Sequence, residues 1–321
     1  MQKIIKYLKE LKGKTLLLTH HNADLDAVAS CLVLKNCLEK YGKEVYIGTS
    51  ESISKLASNL QVADIIIDPD CNNYDNIILI ETSVLEQLKT IKNLRVDAII
   101  DHHPPGNLAS QAKIKFIDEN KKSCAQIIFE ICKNMKYEIN SEDGKVLLAG
   151  IIFDTAHFSH ADKEVFKNVL EIIEKTNINI QDAFKFLEVE TDISEKIACI
   201  KALSRLNAYR INDILIVFSI AGSFEGPIAR TITKLGADIA VIANIKEDEI
   251  RISSRGKEKI KNYGIDLSEI FKEVGKIIDG SGGGHDLAGS ANGKNKKALN
   301  KAFNFILNTI SKRIGKPYKK I

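Results

Sequence analysis

The seven histidines of this chain fall into four short clusters: His20-His21, His102-His103, His157 with His160, and His285. Histidines scattered through a core or a surface have no reason to gather in this way. The first cluster opens the stretch THHNADLDAVAS, residues 19–30, which follows the apolar run Leu16-Leu17-Leu18 and places Asp24 and Asp26 close behind His20. Imidazoles and carboxylates crowded at the end of an apolar run lose hydration energy unless something pairs with them, and a metal ion is one such partner. A helix cap formed by Asp24 or Asp26 is the plainer alternative.

Three further clusters resemble the first: IILIETS with Glu81, AIIDHHPPG with Asp101-His102-His103, and GIIFDTAHF with Asp154. Divalent ions of the manganese or magnesium kind prefer carboxylate oxygens joined by a few imidazoles. Two such ions about 3.5 to 4 Å apart need roughly six ligands, one a bridging carboxylate, and would polarise phosphate oxygens while generating hydroxide. Taken singly, Asp101 could end a strand before Pro104-Pro105 and Asp154 could terminate a helix. Taken together, the plain readings require four unrelated coincidences at one sheet edge.

The elements that must position these groups follow from the apolar pattern. Between Thr15 and about Asp118, short β-branched runs at Thr15-Leu18, Glu44-Ile47, Asp64-Ile67, Ile77-Ile80, Ala98-Ile100 and Ile114-Ile117 alternate with helical stretches such as Ala27-Lys40. This predicts an α/β fold, a mainly parallel sheet with helices on both faces, in which functional groups gather at the carboxyl ends of the strands. His20, Glu81 and Asp101 each stand just past such a run. Residues from about Ser123 to Leu187 read as helices only, and Thr191-Leu206 as a connecting helix. Beyond it, strands at Ile214-Ile220, Ile239-Ile245 and Glu249-Ser254, helices at Ile228-Leu235 and Leu267-Gly275, a loop GSGGGHD and a final helix near Lys296-Ile314 predict a smaller α/β domain. The expected division is 1–188, a connecting helix over 189–207, and 208–321.

Composition narrows the class. At 321 residues, two domains are a better expectation than one, and 44% hydrophobic with 27% charged residues is ordinary for a globular protein. A formal charge of +4 argues against a long nucleic-acid track and permits short anionic substrates. No run approaches the roughly 18 apolar residues of a membrane span, and the N-terminal MQKIIKYLKELKGK reads as an amphipathic helix rather than a signal peptide, so the expected location is cytoplasmic. The six cysteines form no C-x-x-C pair and read as reduced core residues.

The ordered set of motifs resembles the DHH phosphoesterase family. Its name-giving motif stands here as Asp101-His102-His103, preceded by His20-x-x-x-Asp24-x-Asp26 and followed by Asp154-Thr155, and GSGGGHDLAGSA, residues 280–291, resembles the glycine-rich signature of the DHH-associated C-terminal domain. The nanoRNase and pAp phosphatase branch is the nearer likeness, RecJ-type exonucleases the more distant. The resemblance implies two divalent ions, Mn²⁺ or else Mg²⁺. His20 and Asp24 would hold the first ion, and Asp26, His102 and Asp154 the second. A carboxylate at position 81 would bridge them, His103 would face the scissile phosphate, and Asp101 would orient a histidine. At position 81 the family has Asp and this chain has Glu, so either the backbone is set back, metal binding or turnover is weakened, or Glu81 is no ligand.

In the second domain, Gly282-Gly283-Gly284 lets backbone N–H groups approach an anion, with His285 beside them. Arg255 is placed to take phosphate in bidentate fashion, although a solvated strand-end arginine reads almost as well. From Ala291 to Ile321 there are nine Lys or Arg and no acidic residue, which a solvated terminal helix explains as well as nucleic acid does. Aromatics are only 6% and tryptophan is absent, so a stacking platform for long single strands is missing. The expected activity is metal-dependent hydrolysis of short oligonucleotides or small phosphorylated nucleotides such as pAp and linear dinucleotides, by a chain with no membrane partner that could form a homodimer. A RecJ-like single-strand exonuclease and a catalytically weakened nucleotide-binding protein are the alternatives. Inorganic pyrophosphatase chemistry is disfavoured by the glycine-rich loop. His21 has no assigned role, and His157 and His160 are candidates for the substrate rim.

Overall fold

The computed structural model describes residues 1–188 and 192–321. Contacts divide the chain into two compact units, Met1–Val189 and Glu190–Ile321.

In the first unit, α1 (Gln2–Glu10) precedes β1 (Lys14–Thr19), α2 (Leu25–Lys40), β2 (Glu44–Thr49), β3 (Ile65–Ile67), β4 (Asn76–Ile80), β5 (Ala98–Asp101) and β6 (Ile114–Ile117). Then come α3 (Cys124–Asn134), α4 (Ser141–Asp154), α5 (Lys163–Thr176) and α6 (Ile180–Phe184). Among the described residues the six strands form one parallel sheet in the order β3-β2-β1-β4-β5-β6. The strands alternate their side chains between two apolar layers. Leu17, Ile78, Ile80 and Ile100 face α2, α3 and α4, while Leu16, Leu18, Ile77, Leu79 and Ile99 face a layer made by the connections, with Cys71, Leu88 and Leu108. Burial on both faces is why these strands read as continuous apolar runs. The order reverses between β1 and β4, so a crevice opens beyond their carboxyl ends, where such sheets bind ligands.

The second unit begins its described part with α7 (Ile193–Leu203). Residues 189–191, the first of the expected connecting segment, lie outside the described residues. There follow β7 (Asn207–Ile211), β8 (Ile214–Ile220), α8 (Glu225–Leu235), β9 (Ile239–Ile245), β10 (Ile250–Gly256), α9 (Leu267–Ile277), β11 (Gly280–His285), β12 (Ala288–Gly293), α10 (Leu299–Ile314) and β13 (Lys319–Lys320). Among the described residues they make a mixed seven-stranded sheet, β11-β12-β10-β9-β8-β7-β13, with α7 and α8 on one face and α9 and α10 on the other.

The expected loop GSGGGHD is instead β11, the edge strand of a hairpin with β12. Glycine is disfavoured in strands, but here it answers a packing demand. A Cβ on Gly282 would stand 2.0 Å from the Phe271 carbonyl oxygen of α9, and one on Gly289 would stand 2.4 Å from the Phe271 ring. Gly283 differs, because nothing among the described residues lies within 4 Å of its Cβ position. Overpacking of this kind costs about 1–3 kcal/mol. Gly282→Ala should therefore lower the midpoint of thermal unfolding, whereas Gly283→Ala should leave it within about 0.5 kcal/mol of the parent.

Candidate metal centre

β1, β4 and β5 lie side by side, and each ends in a polar residue: His20 follows β1, Glu81 follows β4, and Asp101-His102 closes β5. Two helices complete the site. α2 starts at the same edge and brings Asp24 and Asp26, and α4 ends there with Asp154. His20, Asp24 and Glu81 offer ligand atoms that all lie within 4.8 Å of one another, as do those of Asp26, Glu81, His102 and Asp154, and those of Glu81, His102 and His103. Glu81 belongs to all three groups. The structure thus gathers the six expected ligand residues in two sets that share the residue at position 81.

Capping and facing the site are not exclusive. Asp24 is the N-cap of α2, its Oδ1 accepting from the Ala27 N–H at 3.0 Å, and it still belongs to the His20 group. Asp26, fully buried, accepts from the N–H groups of Cys124 (2.6 Å) and Ala125 (3.0 Å), so it binds the N-terminus of α3 rather than capping its own helix. Such an end carries partial positive charge and suits a carboxylate. Gly150 of α4 makes room for this, since a Cβ there would stand 2.6 Å from Asp26 Oδ1. A glycine inside a helix costs about 1 kcal/mol, and that cost was the sequence signal for a close approach.

Glu81 takes a left-handed backbone with φ of 59°, a conformation that costs an L-residue roughly 1–2 kcal/mol. Its N–H donates to the Ile100 carbonyl (2.9 Å), and its side chain is buried with Oε2 unpartnered among the described residues. The extra methylene of Glu therefore still reaches both donor sets.

Asp101 is buried, and its Oδ1 accepts from the N–H groups of His102 (2.8 Å) and His103 (3.0 Å) and pairs with His103 Nδ1 (3.0 Å). His103 itself is half-exposed, so its Nε2 is the atom offered outward. His102 Nδ1 meets the Lys121 carbonyl at 3.3 Å. A carbonyl only accepts, so Nδ1 carries the proton. Nε2 then faces Asp154 Oδ2 (3.1 Å) and Glu81 Oε1 (3.7 Å), with neither carboxylate placed for a well-directed hydrogen bond.

The electrostatics suit a cation. Desolvation first, then the charges of Glu81 and Asp154, push the Asp26 carboxyl well above its ordinary range, and desolvation followed by Asp24, Asp154 and Asp101 does the same to Glu81. Asp24 is raised too, chiefly by burial. At His102 burial opposes the charge, but Asp154 and Asp26 prevail and hold the imidazole pKa at about 9. Repelling carboxylates, an orphaned Glu81 oxygen and an orphaned imidazole nitrogen are the donor chemistry of a hard divalent cation, so the residues present fit one.

The remaining residues singled out from the sequence belong to none of these donor groups. His21 is exposed, with its ring and backbone nitrogens both against the Gln87 carbonyl. His157 and His160 stand on an exposed turn just after Asp154, in which Ala156, His157 and Phe158 all have positive φ and Phe158 is anchored on Phe166 and Phe184. In the second unit, Arg255 Nη1 donates to the Ser254 carbonyl, and its guanidinium pKa is lowered by burial and by Arg230. His285 is exposed at the end of β11. The six cysteines are free; Cys31 and Cys124 are buried, and burial with the nearby Asp26 and Glu81 charges keeps both thiols protonated. None of the described helices is long and apolar enough to cross a membrane.

Two outcomes follow. Mn²⁺ binding at neutral pH should expel protons from the raised groups, seen as a buffer-dependent heat in calorimetry, and should stabilise the fold by about 2.7 kcal/mol at a free ion concentration of about 100 times Kd. Asp24→Asn preserves the cap, because Asn and Asp cap equally well. It should weaken Mn²⁺ binding at least about 10-fold with no loss of metal-free stability; unchanged affinity would leave Asp24 a cap only.

The chain is similar to known proteins along its length. Residues 14–151 match the model of the DHH family, N-terminal domain, and residues 222–312 match the DHHA1 domain. An uncharacterized protein of Methanocaldococcus jannaschii is 33% identical over 99% of this chain and 98% of its own length. A probable manganese-dependent inorganic pyrophosphatase of Staphylococcus epidermidis is 21% identical over 83% of this chain and 85% of its own. The crystal structure of an exopolyphosphatase-related protein from Bacteroides fragilis superposes with a TM-score of 0.63 at 17% identity, covering 98% of this chain and 97% of that one. With both family domains in order and a third of its residues shared with a relative along its whole length, the chain belongs to the DHH phosphoesterase family and carries a C-terminal DHHA1 domain.

Proposed function

We propose that the protein is a two-metal phosphoesterase that hydrolyses short oligonucleotides or small phosphorylated nucleotides, with Mn²⁺ as its working ion. The observation that carries this reading is the pair of donor sets joined at Glu81. His20, Asp24 and Glu81 would hold one ion, and Asp26, Glu81, His102 and Asp154 the other. Ions bound there would act as Lewis acids toward phosphoryl oxygens and lower the pKa of water. The protein's own groups divide the remaining work. Asp101 holds His103 by Nδ1 and so aims Nε2 at the open side, where it would donate to a phosphoryl or leaving oxygen. The α3 N-terminus holds Asp26 in place, and Lys121 fixes the His102 tautomer.

Short substrates are favoured by the small net charge and the scarcity of aromatic stacking surface. In the second unit Gly283, whose Cβ position is open, together with His285 and Arg255, is proposed to grip a terminal phosphate or base. Gly282, by contrast, is accounted for by packing against α9. That removes part of the case against pyrophosphate, and the manganese-dependent pyrophosphatase relative favours it as the second reading.

A Mn²⁺-supplemented hydrolysis screen over pAp, linear dinucleotides, RNA and DNA of graded length, and pyrophosphate decides between them. The expected result is fastest turnover of pAp or dimers. His103→Ala should lower kcat by about 10²- to 10⁴-fold. Faster turnover of long strands than of dimers, or activity on pyrophosphate alone, would overturn the assignment.

A further inference from the structure

The segment running from the end of β6 into the first turn of α3, residues 118–125, touches the metal centre at two points. The Lys121 carbonyl meets His102 Nδ1, and the Cys124 and Ala125 N–H groups hold Asp26. One short stretch of backbone thus sets the ring of one ligand and the carboxylate of another, from β5 and from α2. It is tied to the strand edge by the Asp118 N–H, which donates to the Asp101 carbonyl at 3.0 Å, and by the Lys121 N–H, which donates to the Asp118 carbonyl at 3.1 Å.

What holds this segment in place is a buried lysine. The Lys121 side chain is 6% exposed and makes two ion pairs, to Glu130 of α3 at 2.5 Å and to Glu164 in the first turn of α5 at 2.6 Å. A lysine at such burial is costly unless paired, and removing one partner from such a group is strongly destabilising. The two carboxylates outweigh burial and hold its pKa above the ordinary lysine range. The ammonium bonds two helices at once while its own carbonyl points to His102, so side chain and backbone of one residue join the helical layer to the metal centre.

We propose that Lys121, through its ion pairs with Glu130 and Glu164, is a positioning residue for the metal centre, fixing the Nδ1-protonated form of His102 and the carboxylate of Asp26 for ion binding. The inference rests on the reading of the site as a metal centre. It does not depend on which phosphate ester is the substrate.

The test compares Lys121→Met, the charge-neutral triple variant Lys121→Met with Glu130→Gln and Glu164→Gln, Lys121→Arg, and Glu164→Gln alone in the full chain. Mn²⁺ dissociation constants are measured by calorimetry, the His102 tautomer by ¹⁵N chemical shifts of the metal-free protein well above pH 9, where the imidazole is neutral, and the thermal midpoint in parallel. Disturbed ligand support weakens metal binding about 10- to 100-fold. That loss is expected in Lys121→Met and in the triple variant, with a His102 shift moving toward the mixed-tautomer value. The loss should persist in the triple variant even with its thermal midpoint restored, and Lys121→Arg should recover part of it. A triple variant that binds Mn²⁺ as the parent does, with an unchanged His102 shift, overturns the proposal and leaves Lys121 as a staple between helices. Should the Lys121 variants not fold, Glu164→Gln decides: Glu130 still pairs with the ammonium, so the fold is kept while one of the two ion pairs is lost, and unchanged Mn²⁺ affinity and tautomer there would overturn the proposal equally. His102→Ala separates the two claims, because unaltered Mn²⁺ affinity in that variant refutes the metal centre itself rather than the role of Lys121.

Discussion

The constraint on which the molecule turns is the convergence of Asp24, Asp26, Glu81, Asp101 and Asp154 at one end of a parallel sheet, largely out of water. Unpaired carboxylates in such a place repel and protonate. The fold supplies partners for three of them. The Ala27 N–H serves Asp24, the first turn of α3 serves Asp26, and the N–H groups of His102 and His103 with the His103 ring serve Asp101. Glu81 Oε2 and Asp101 Oδ2 are left without a hydrogen bond among the described residues, and His102 Nε2 has only its ion pair with Asp154. Glu81 stands where the two donor sets meet, which is where a bridging carboxylate belongs.

The rest of the first unit serves that junction. The strand order sets β1, β4 and β5 side by side, so His20, Glu81 and His102 arrive from neighbouring strand ends. The helices bring acids from both directions, α2 by its start and α4 by its end. Gly150 lets α4 come close enough to Asp26, and the left-handed turn at Glu81 directs a longer carboxylate into the same space. Strain of this kind gathers at functional sites and is offset by the packed layers around it.

Much of this was legible in the sequence, for physical reasons. The central strands β1, β4 and β5 of the first sheet announced themselves because burial on both faces demands continuous apolar runs, and the groups at their ends broke the pattern with charge. The outer strands of the second unit were not legible. β7 is half-exposed, and β11 is built of glycines whose absent side chains make room for α9 and so read as a loop. Position 81 read in three ways because sequence records chain length and not backbone conformation; the structure gives Glu81 a left-handed φ and a carboxylate within reach of both donor sets. Asp24 read as either cap or ligand, although geometry lets it be both. The Lys121 ion pairs join residues 9 and 43 positions apart, and no local spacing rule could have foretold them.

The central claim is that Glu81 joins two ion sites. Anomalous diffraction at the manganese edge from crystals soaked in Mn²⁺ tests it most directly. Two peaks flanking the Glu81 carboxylate are expected, about 3.5 to 4 Å apart, one beside His20 and Asp24 and the other beside Asp26, His102 and Asp154. A single peak, or peaks that leave Glu81 uncoordinated, would contradict it.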